Sequence, residues 1–334
     1  MSTGFPTDDY AITTRGLVKR YGRQPALTGL DMSVPCGQVY GFLGPNGSGK
    51  TTTLRLLVGL LRPDAGQMTL LGEPYTWRDR KRLFRVGSLI EMPAFYPFLS
   101  GRDNLRFLSN TGPRTSPRRI DEVLEYVGMR QRSHDKVKTY SLGMKQRLGI
   151  AAAMLSDPEL LLLDEPANGL DPAGVVALRE TLRHLTSLGK TVLISSHILP
   201  EVEQLADIVG IVNSGRIIRE GRLSELLHDV GTVRVQVAVE DMTAAASVLQ
   251  PMAPDRPLYG VDSGPQAGWF TVNIAPTRAQ EVNRALAAVG VYASALHGGS
   301  DLESLFLQLT GPTDPGMATP PAPPPPPPPP APAS

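Results

Sequence analysis

A chain of 334 residues, 41% of them hydrophobic, can fill one large core and a smaller second one. Its 33 basic and 32 acidic side chains leave a formal charge of +1, which excludes the basic field that nonspecific nucleic-acid binding needs, so nucleic acid is not an expected partner. The single cysteine, Cys36, excludes an intrachain disulfide and fits a reducing interior, with Cys36 read as buried filler.

The opening stretch MSTGFPTDDYAITTRG has no basic start followed by an apolar run, and nowhere does the chain sustain the roughly 18 apolar residues of a spanning helix. The expectation is a protein neither secreted nor integral to a membrane, but free to attach to one through a partner. From Thr13 to Leu43 short strands follow, TTRGLVKRYG, LTGLDMSV and GQVYGFLG, predicting a mostly antiparallel layer and then a strand of a parallel one. The last strand leads directly into GPNGSGKTTT. Gly44, Pro45, Asn46, Gly47, Ser48, Gly49, Lys50 and Thr51 fit G-x-x-x-x-G-K-[ST], placed between that strand and a helix predicted over Lys50–Leu61, which Arg62-Pro63-Asp64-Ala65-Gly66 ends with turn chemistry. Glycines let backbone N–H groups wrap phosphates, and the helix N-terminus adds partial positive charge. Lys50 neutralises the terminal oxygens, Thr51 offers its hydroxyl to magnesium, and Thr52 extends the cradle.

Residues from about 93 to 155 carry helical patterning (RDNLRFLS, IDEVLEYVG, GMKQRLGIAAAML) and no strand, which predicts a helical insertion. Within it TYSLGMKQRLGIA sets a hydroxyl, a glycine, Lys145 and Arg147 ahead of an apolar helix, the composition of a second anion site. The α/β core resumes at ELLLLDEP, a buried strand ending in two carboxylates at neighbouring but differently pointed positions. Asp164 is the natural partner of magnesium, and Glu165 is placed to polarise water for attack on a γ-phosphate. The next strand, TVLISSH, sets His197 at its carboxyl end, where ligands gather in open α/β sheets. A helix over ILPEVEQLAD and a hairpin over IVGIVNSGRIIREG, turning at Asn213-Ser214-Gly215, complete a first domain of residues 1–228.

Residues 229–311 read as strand TVRVQVAVE, helix DMTAAASVLQ, strands RPLYGV and WFTVNIA, helix TRAQEVNRALAAVG, strand VYASALH and helix SDLESLFLQLTG. This βαββαβ order predicts a small α+β sandwich with a structural or regulatory role. Thr277 with Gln280 and Ser300 with Glu303 form capping-box patterns. From residue 312 the composition collapses into a proline-rich tail, ending PPAPPPPPPPPAPAS, which cannot pack a core and is expected to extend as polyproline II.

Tyr21, the glycine loop, YSLGMKQRLGIA, LLLLDEPANGLDP and LISSHILPEVEQLAD stand in the order and approximate spacing of ATP-binding-cassette (ABC) transporter ATPase subunits, a resemblance running from about Thr13 to Leu227. Within that family the chain looks most like the drug- and bacitracin-type exporter ATPases, which share SLGMKQRLGIA, the LIEMPAFYPFLSGRDNL loop and an ending like DLESLFLQLTG. The resemblance implies a P-loop ATPase core with an antiparallel β subdomain and an inserted helical subdomain. It makes Tyr21 the platform for adenine and puts Glu91 where the family commonly has a glutamine that senses magnesium and contacts the permease. Asp171 becomes the residue that crosses the dimer interface, with Ala167 and Asn168 replacing the usual threonine and serine. It implies a head-to-tail pair of cassettes, in which Ser141 and Gly143 reach the γ-phosphate held by the opposite chain; Leu142 and Met144 replace a glycine and a glutamine there. ATP and Mg2+ are the implied ligands, separate integral membrane permease subunits the implied partners, and the cytoplasmic face of the membrane the implied location.

Two other classes compete. A cassette ATPase acting on ribosomes or DNA is expected to carry two cassettes or a long coiled-coil insertion, and the sequence has neither. A small-molecule kinase or GTPase sharing only the glycine loop leaves YSLGMKQRLGIA and His197 unexplained, and the Asn-Lys-x-Asp guanine-reading motif is absent. The cargo is not written in the sequence, because specificity in such systems belongs to the membrane subunits.

Overall fold

The computed structural model describes residues 9–91, 94–110, 115–228, 232–254, 258–261, 267–272, 274, 276–299 and 302–310. The proposed cap Ser300 and the proline-rich tail lie outside them.

Two sheets build the first domain. β1 (Tyr10–Tyr21), β2 (Gln24–Pro35), β4 (Ala65–Leu70) and β5 (Glu73–Tyr75) form an antiparallel layer in the order β2-β1-β4-β5. β3 (Val39–Leu43), β6 (Val86–Leu89), β7 (Leu160–Asp164), β8 (Thr191–Ser196), β9 (Ile208–Asn213) and β10 (Arg216–Arg222) form the central sheet, ordered β10-β9-β3-β8-β7-β6. All its neighbours run parallel except β10, the antiparallel edge. Every residue of β3, β7 and β8 is buried, as continuous apolar runs covered on both faces must be. Their alternation splits the core in two. Leu161, Leu163, Val192 and Ile194 face one apolar cluster, while Leu160, Leu162 and Leu193 face the other, which the antiparallel layer closes.

α1 (Lys50–Leu57) leaves β3 through the glycine loop and stops four residues short of the predicted Leu61, because Gly59 turns left-handed at φ 71°. α2 (Gly101–Ser109), α3 (Pro117–Tyr126) and α4 (Leu142–Ala153) form the helical insertion, and each starts at a serine, Ser100, Ser116 or Ser141, whose side chain accepts from a first-turn N–H. α5 (Pro172–Ser187), capped by Asp171, α6 (Leu199–Leu205) and α7 (Leu223–His228) complete the domain. Gly41 lets α6 approach β3, since a Cβ there would lie 2.3 Å from Val202 Cγ1.

Beyond α7, the strands β11 (Thr232–Gln236), β12 (Tyr259–Val261), β13 (Trp269–Val272) and β14 (Ala295–Gly299) form an antiparallel sheet ordered β12-β13-β11-β14. With α8 (Met242–Leu249) and α9 (Ala279–Ala288) it has its own core of Val233, Val235, Phe270, Val272, Leu249 and Leu286. The final helix, α10 (Leu302–Thr310), turns away from that core. Its Leu302, Leu305 and Phe306 are buried in the first domain's cluster with Leu199, Val202, Leu205 and Leu226.

Three expectations are corrected. Cys36 is exposed, because it sits in the turn between β2 and β3 rather than in a strand. Thr277 forms no capping box: the chain makes a 3-10 turn over Pro276–Arg278, so α9 begins after Arg278 without a side-chain cap. The last predicted strand starts at Ala295, with residues 291–294 irregular before it.

Candidate functional site

The carboxyl ends of β3, β7 and β8 and the N-terminus of α1 meet at one end of the central sheet. The loop Gly44–Thr51 is shaped for close approach. A Cβ on Gly44 would lie 2.2 Å from Val212 O, and Gly49, at φ 108°, backs onto Ala26 O and Leu27. Lys50 is buried, and its Nζ donates to Gly44 O at 2.7 Å and Pro45 O at 3.2 Å, closing the loop around an ammonium. Burial lowers the Lys50 pKa, opposed by the charges of Glu165 and Asp164. Asn46 and Gly47 are exposed at the loop tip, and Thr52 is half-buried on α1.

Thr51 Oγ1 donates to Asp164 Oδ2 at 2.9 Å, and the Ser195 hydroxyl donates to Asp164 Oδ1. Glu165, the next residue, has φ 49°, a left-handed backbone that swings its side chain back over the loop. One carboxylate oxygen lies 3.8 Å from Lys50 Nζ, and the other 2.9 Å from His197 Nδ1. Glu201, in the first turn of α6, is a further carboxylate here; burial and the charge of Glu165 push its pKa up, and His197 opposes them.

The remaining candidates divide. Tyr21 is half exposed at the end of β1 and interacts with Arg55, which forms an ion pair with Glu91. Glu91, at φ 67°, thus turns its carboxylate to Arg55. Ser141 and Gly143 stand apart from the loop: Ser141 is exposed and caps α4, accepting from Met144 N at 3.3 Å. Among the described residues no hydrogen bond or ion pair joins either to Gly44–Thr51. Leu142 packs instead over the segment following Glu165, so close that a Cβ on Gly169 would lie 2.3 Å from it. Asp171 Oδ1 accepts from Gly174 N at 2.9 Å as the cap of α5. Sequence reasoning missed Arg55, Ser195 and Glu201, because their partners are distant in the chain or follow from register alone.

The site fits a phosphate ester with its cation. Ser48 Oγ is buried without a hydrogen-bond partner inside the loop, an acceptor or donor held for a ligand. A hydroxyl and a carboxylate, Thr51 and Asp164, form the sparse oxygen donor set by which Mg2+ is held together with substrate phosphates rather than in an all-protein cage. Among the described residues no group of three or more His, Cys, Asp or Glu side chains could hold a metal ion.

A glycine loop between strand and helix, two carboxylates on the adjacent strand end and a histidine on the next define a P-loop ATPase. Residues 27–168 match the ABC transporter family. The bacitracin transport ATP-binding protein BcrA of Enterococcus faecalis is 37% identical over 305 residues, 91% of this chain and 97% of that protein. The daunorubicin resistance ATP-binding protein DrrA3 of Streptomyces coeruleorubidus is 39% identical over 313 residues, 91% and 96% of the two chains. The crystal structure of an ABC transporter cassette in its ADP conformation is similar at a TM-score of 0.60 and 25% identity, covering 66% of this chain and 95% of that one. The chain belongs to the ABC transporter family, as its ATP-hydrolysing subunit. No helix among the described residues is long and apolar enough to cross a membrane.

Proposed function

We propose that this chain binds MgATP in Gly44–Thr51 and, paired head-to-tail with a second cassette, powers a separate pair of integral membrane permease subunits that expel a drug, antibiotic or lipid-like substrate. The work is done on the cytoplasmic face of the membrane, without nucleic acid. The observation that carries the chemistry is Glu165 held between Lys50 and His197, at 3.8 and 2.9 Å. In that position Glu165 can orient a water on the γ-phosphate and take its proton, while Lys50 leaves its own loop carbonyls to neutralise phosphate oxygens. His197 holds the second Glu165 oxygen and stands at the strand end where the γ-phosphate is expected. Magnesium, when held by Thr51 and Asp164, supplies charge neutralisation to the triphosphate. Tyr21 offers a ring to adenine. Glu91, released from Arg55, would be free to report on the cation. Ser141 and Gly143, which among the described residues have no hydrogen bond or ion pair to the loop of their own chain, fit a role on the nucleotide of a partner cassette.

An exposed aromatic patch supports the membrane partner. Tyr96 and Phe107, both about half exposed, meet edge to face at 5.0 Å, and Phe98, two residues beyond Tyr96, is 74% exposed. The relatives named for bacitracin transport and daunorubicin resistance support efflux and the cargo class.

The test is Glu165→Gln. Nucleotide binding should persist, turnover should fall by at least about 100-fold, and ATP should trap a dimer visible by size-exclusion chromatography. Unchanged steady-state hydrolysis would overturn the assignment.

A further inference from the structure

Ser195 is fully buried near the end of β8, directly opposite Asp164 in the parallel β7–β8 register. Its hydroxyl is used twice. It donates to Asp164 Oδ1, leaving Oδ2 facing Thr51, and it accepts from the Glu165 N–H at 3.1 Å. The Ser195 carbonyl also accepts from that N–H, at 3.1 Å. The next residue, Ser196, serves a different end: its hydroxyl accepts from Ile198 N at 3.0 Å and shapes the turn that carries His197.

Both contacts of Ser195 bear on geometry that the carboxylates cannot set for themselves. Asp164 is buried, and an Oδ1 stripped of its donor would be free to rotate toward Thr51 or Lys50. Glu165 sits in the left-handed region, which a side-chain-bearing residue keeps only when its surroundings hold it there. The amide of that residue is anchored by Ser195 alone, through hydroxyl and carbonyl. We propose that Ser195 is a positioning residue for hydrolysis: one buried hydroxyl fixes the Asp164 carboxylate for the cation of MgATP and pins the Glu165 turn that aims its carboxylate at the reacting phosphate. It touches neither nucleotide nor water, and acts through the two carboxylates. The inference rests on Asp164 and Glu165 having the roles proposed above.

Groups that orient a cation's ligands typically cost about 10–100-fold in metal affinity or activity when removed. Ser195→Ala should therefore lower kcat by about 10-fold or more and raise by several-fold the Mg2+ concentration that half-saturates ATP binding. The binding readout is isothermal titration in the Glu165→Gln background, where no turnover intervenes. ATP binding in EDTA should not change, and Ser195→Thr, which keeps the hydroxyl, should restore both quantities. Should either variant lose its cooperative melt, Ser195→Cys, nearly isosteric with a weak donor, carries the expectation of an intermediate loss. Unchanged kcat and Mg2+ half-saturation in Ser195→Ala overturn the proposal, as does an equal loss of ATP affinity in EDTA, which would mean a collapsed strand end. Full hydrolysis by Glu165→Gln would sink the broader functional reading and leave the Ser195 binding data to stand or fall separately.

Discussion

The cassette and the unit of β11–β14, α8 and α9, here called the accessory domain, both mix helices with strands, yet they use their strands differently. In the central sheet β3, β7 and β8 are buried on both faces and end side by side, which sets Glu165 3.8 Å from Lys50 and 2.9 Å from His197. In the accessory sheet Val233, Val235, Phe270 and Val272 face α8 and α9, and no comparable meeting of acid, base and ammonium occurs among its described residues. Parallel strands covered on two faces have only their ends left for chemistry, whereas an antiparallel sheet covered on one face has no such focus. The accessory domain instead contributes a helix: α10 is built into the cassette's core, against the helix that follows His197.

The sharpest test of that contrast is in the loop. Lys50→Ala should weaken ATP binding and lower kcat/KM by at least about 100-fold, since it removes the buried ammonium that the glycine loop closes around. A fluorescent ATP analogue reads the binding, and retention of wild-type affinity would show that the buried ammonium serves the fold alone.

Phe306→Ala comes next. Phe306 is 1% exposed, and truncating a buried phenylalanine costs about 3–5 kcal/mol. The chain carries two tryptophans, Trp77 on the cassette side and Trp269 on β13, so single-tryptophan variants can follow each region separately. If α10 belongs to the cassette core, the denaturant midpoint reported by Trp77 should fall. A shift seen by Trp269 alone would return α10 to the accessory domain.

What the sequence made legible follows the range of each interaction. The glycine loop is contiguous and its spacing is its geometry, so Gly44 to Thr51 can be read directly. Asp164 and Glu165 stand at the end of LLLLD, whose unbroken apolar run already marks a strand buried on both faces. Glu91 was not legible in the same way, because the residue its carboxylate meets, Arg55, lies 36 positions away on α1. Likewise β6, VGSL, is too short to show a period and exists only by pairing with β7. Thr277 shows the opposite failure: the T-x-x-Q pattern is present, but a 3-10 turn moves the helix start beyond it. The helix over SDLESLFLQLTG was legible, while the partner it packs on was not, since an apolar face reads alike against any core.

The smallest effect concerns the link between the two regions. Glu303, on α10, lies 3.6 Å from Arg234 on β11, with side chains 37% and 25% exposed, and the Arg234 guanidinium also stacks over Trp269, 5.2 Å from the ring centroid. An ion pair this open contributes about 0–1 kcal/mol and is screened by salt. The cation–π contact adds a comparable amount that salt weakens less. Glu303→Gln removes the first and leaves the second, so it should lower stability by less than about 1 kcal/mol in low salt and by nothing measurable in high salt. The apolar contacts of Leu302, Leu305 and Phe306 hold α10 to the cassette in either condition. A large, salt-insensitive loss on Glu303→Gln would mean that charge, rather than buried apolar surface, joins the accessory domain to the ATPase.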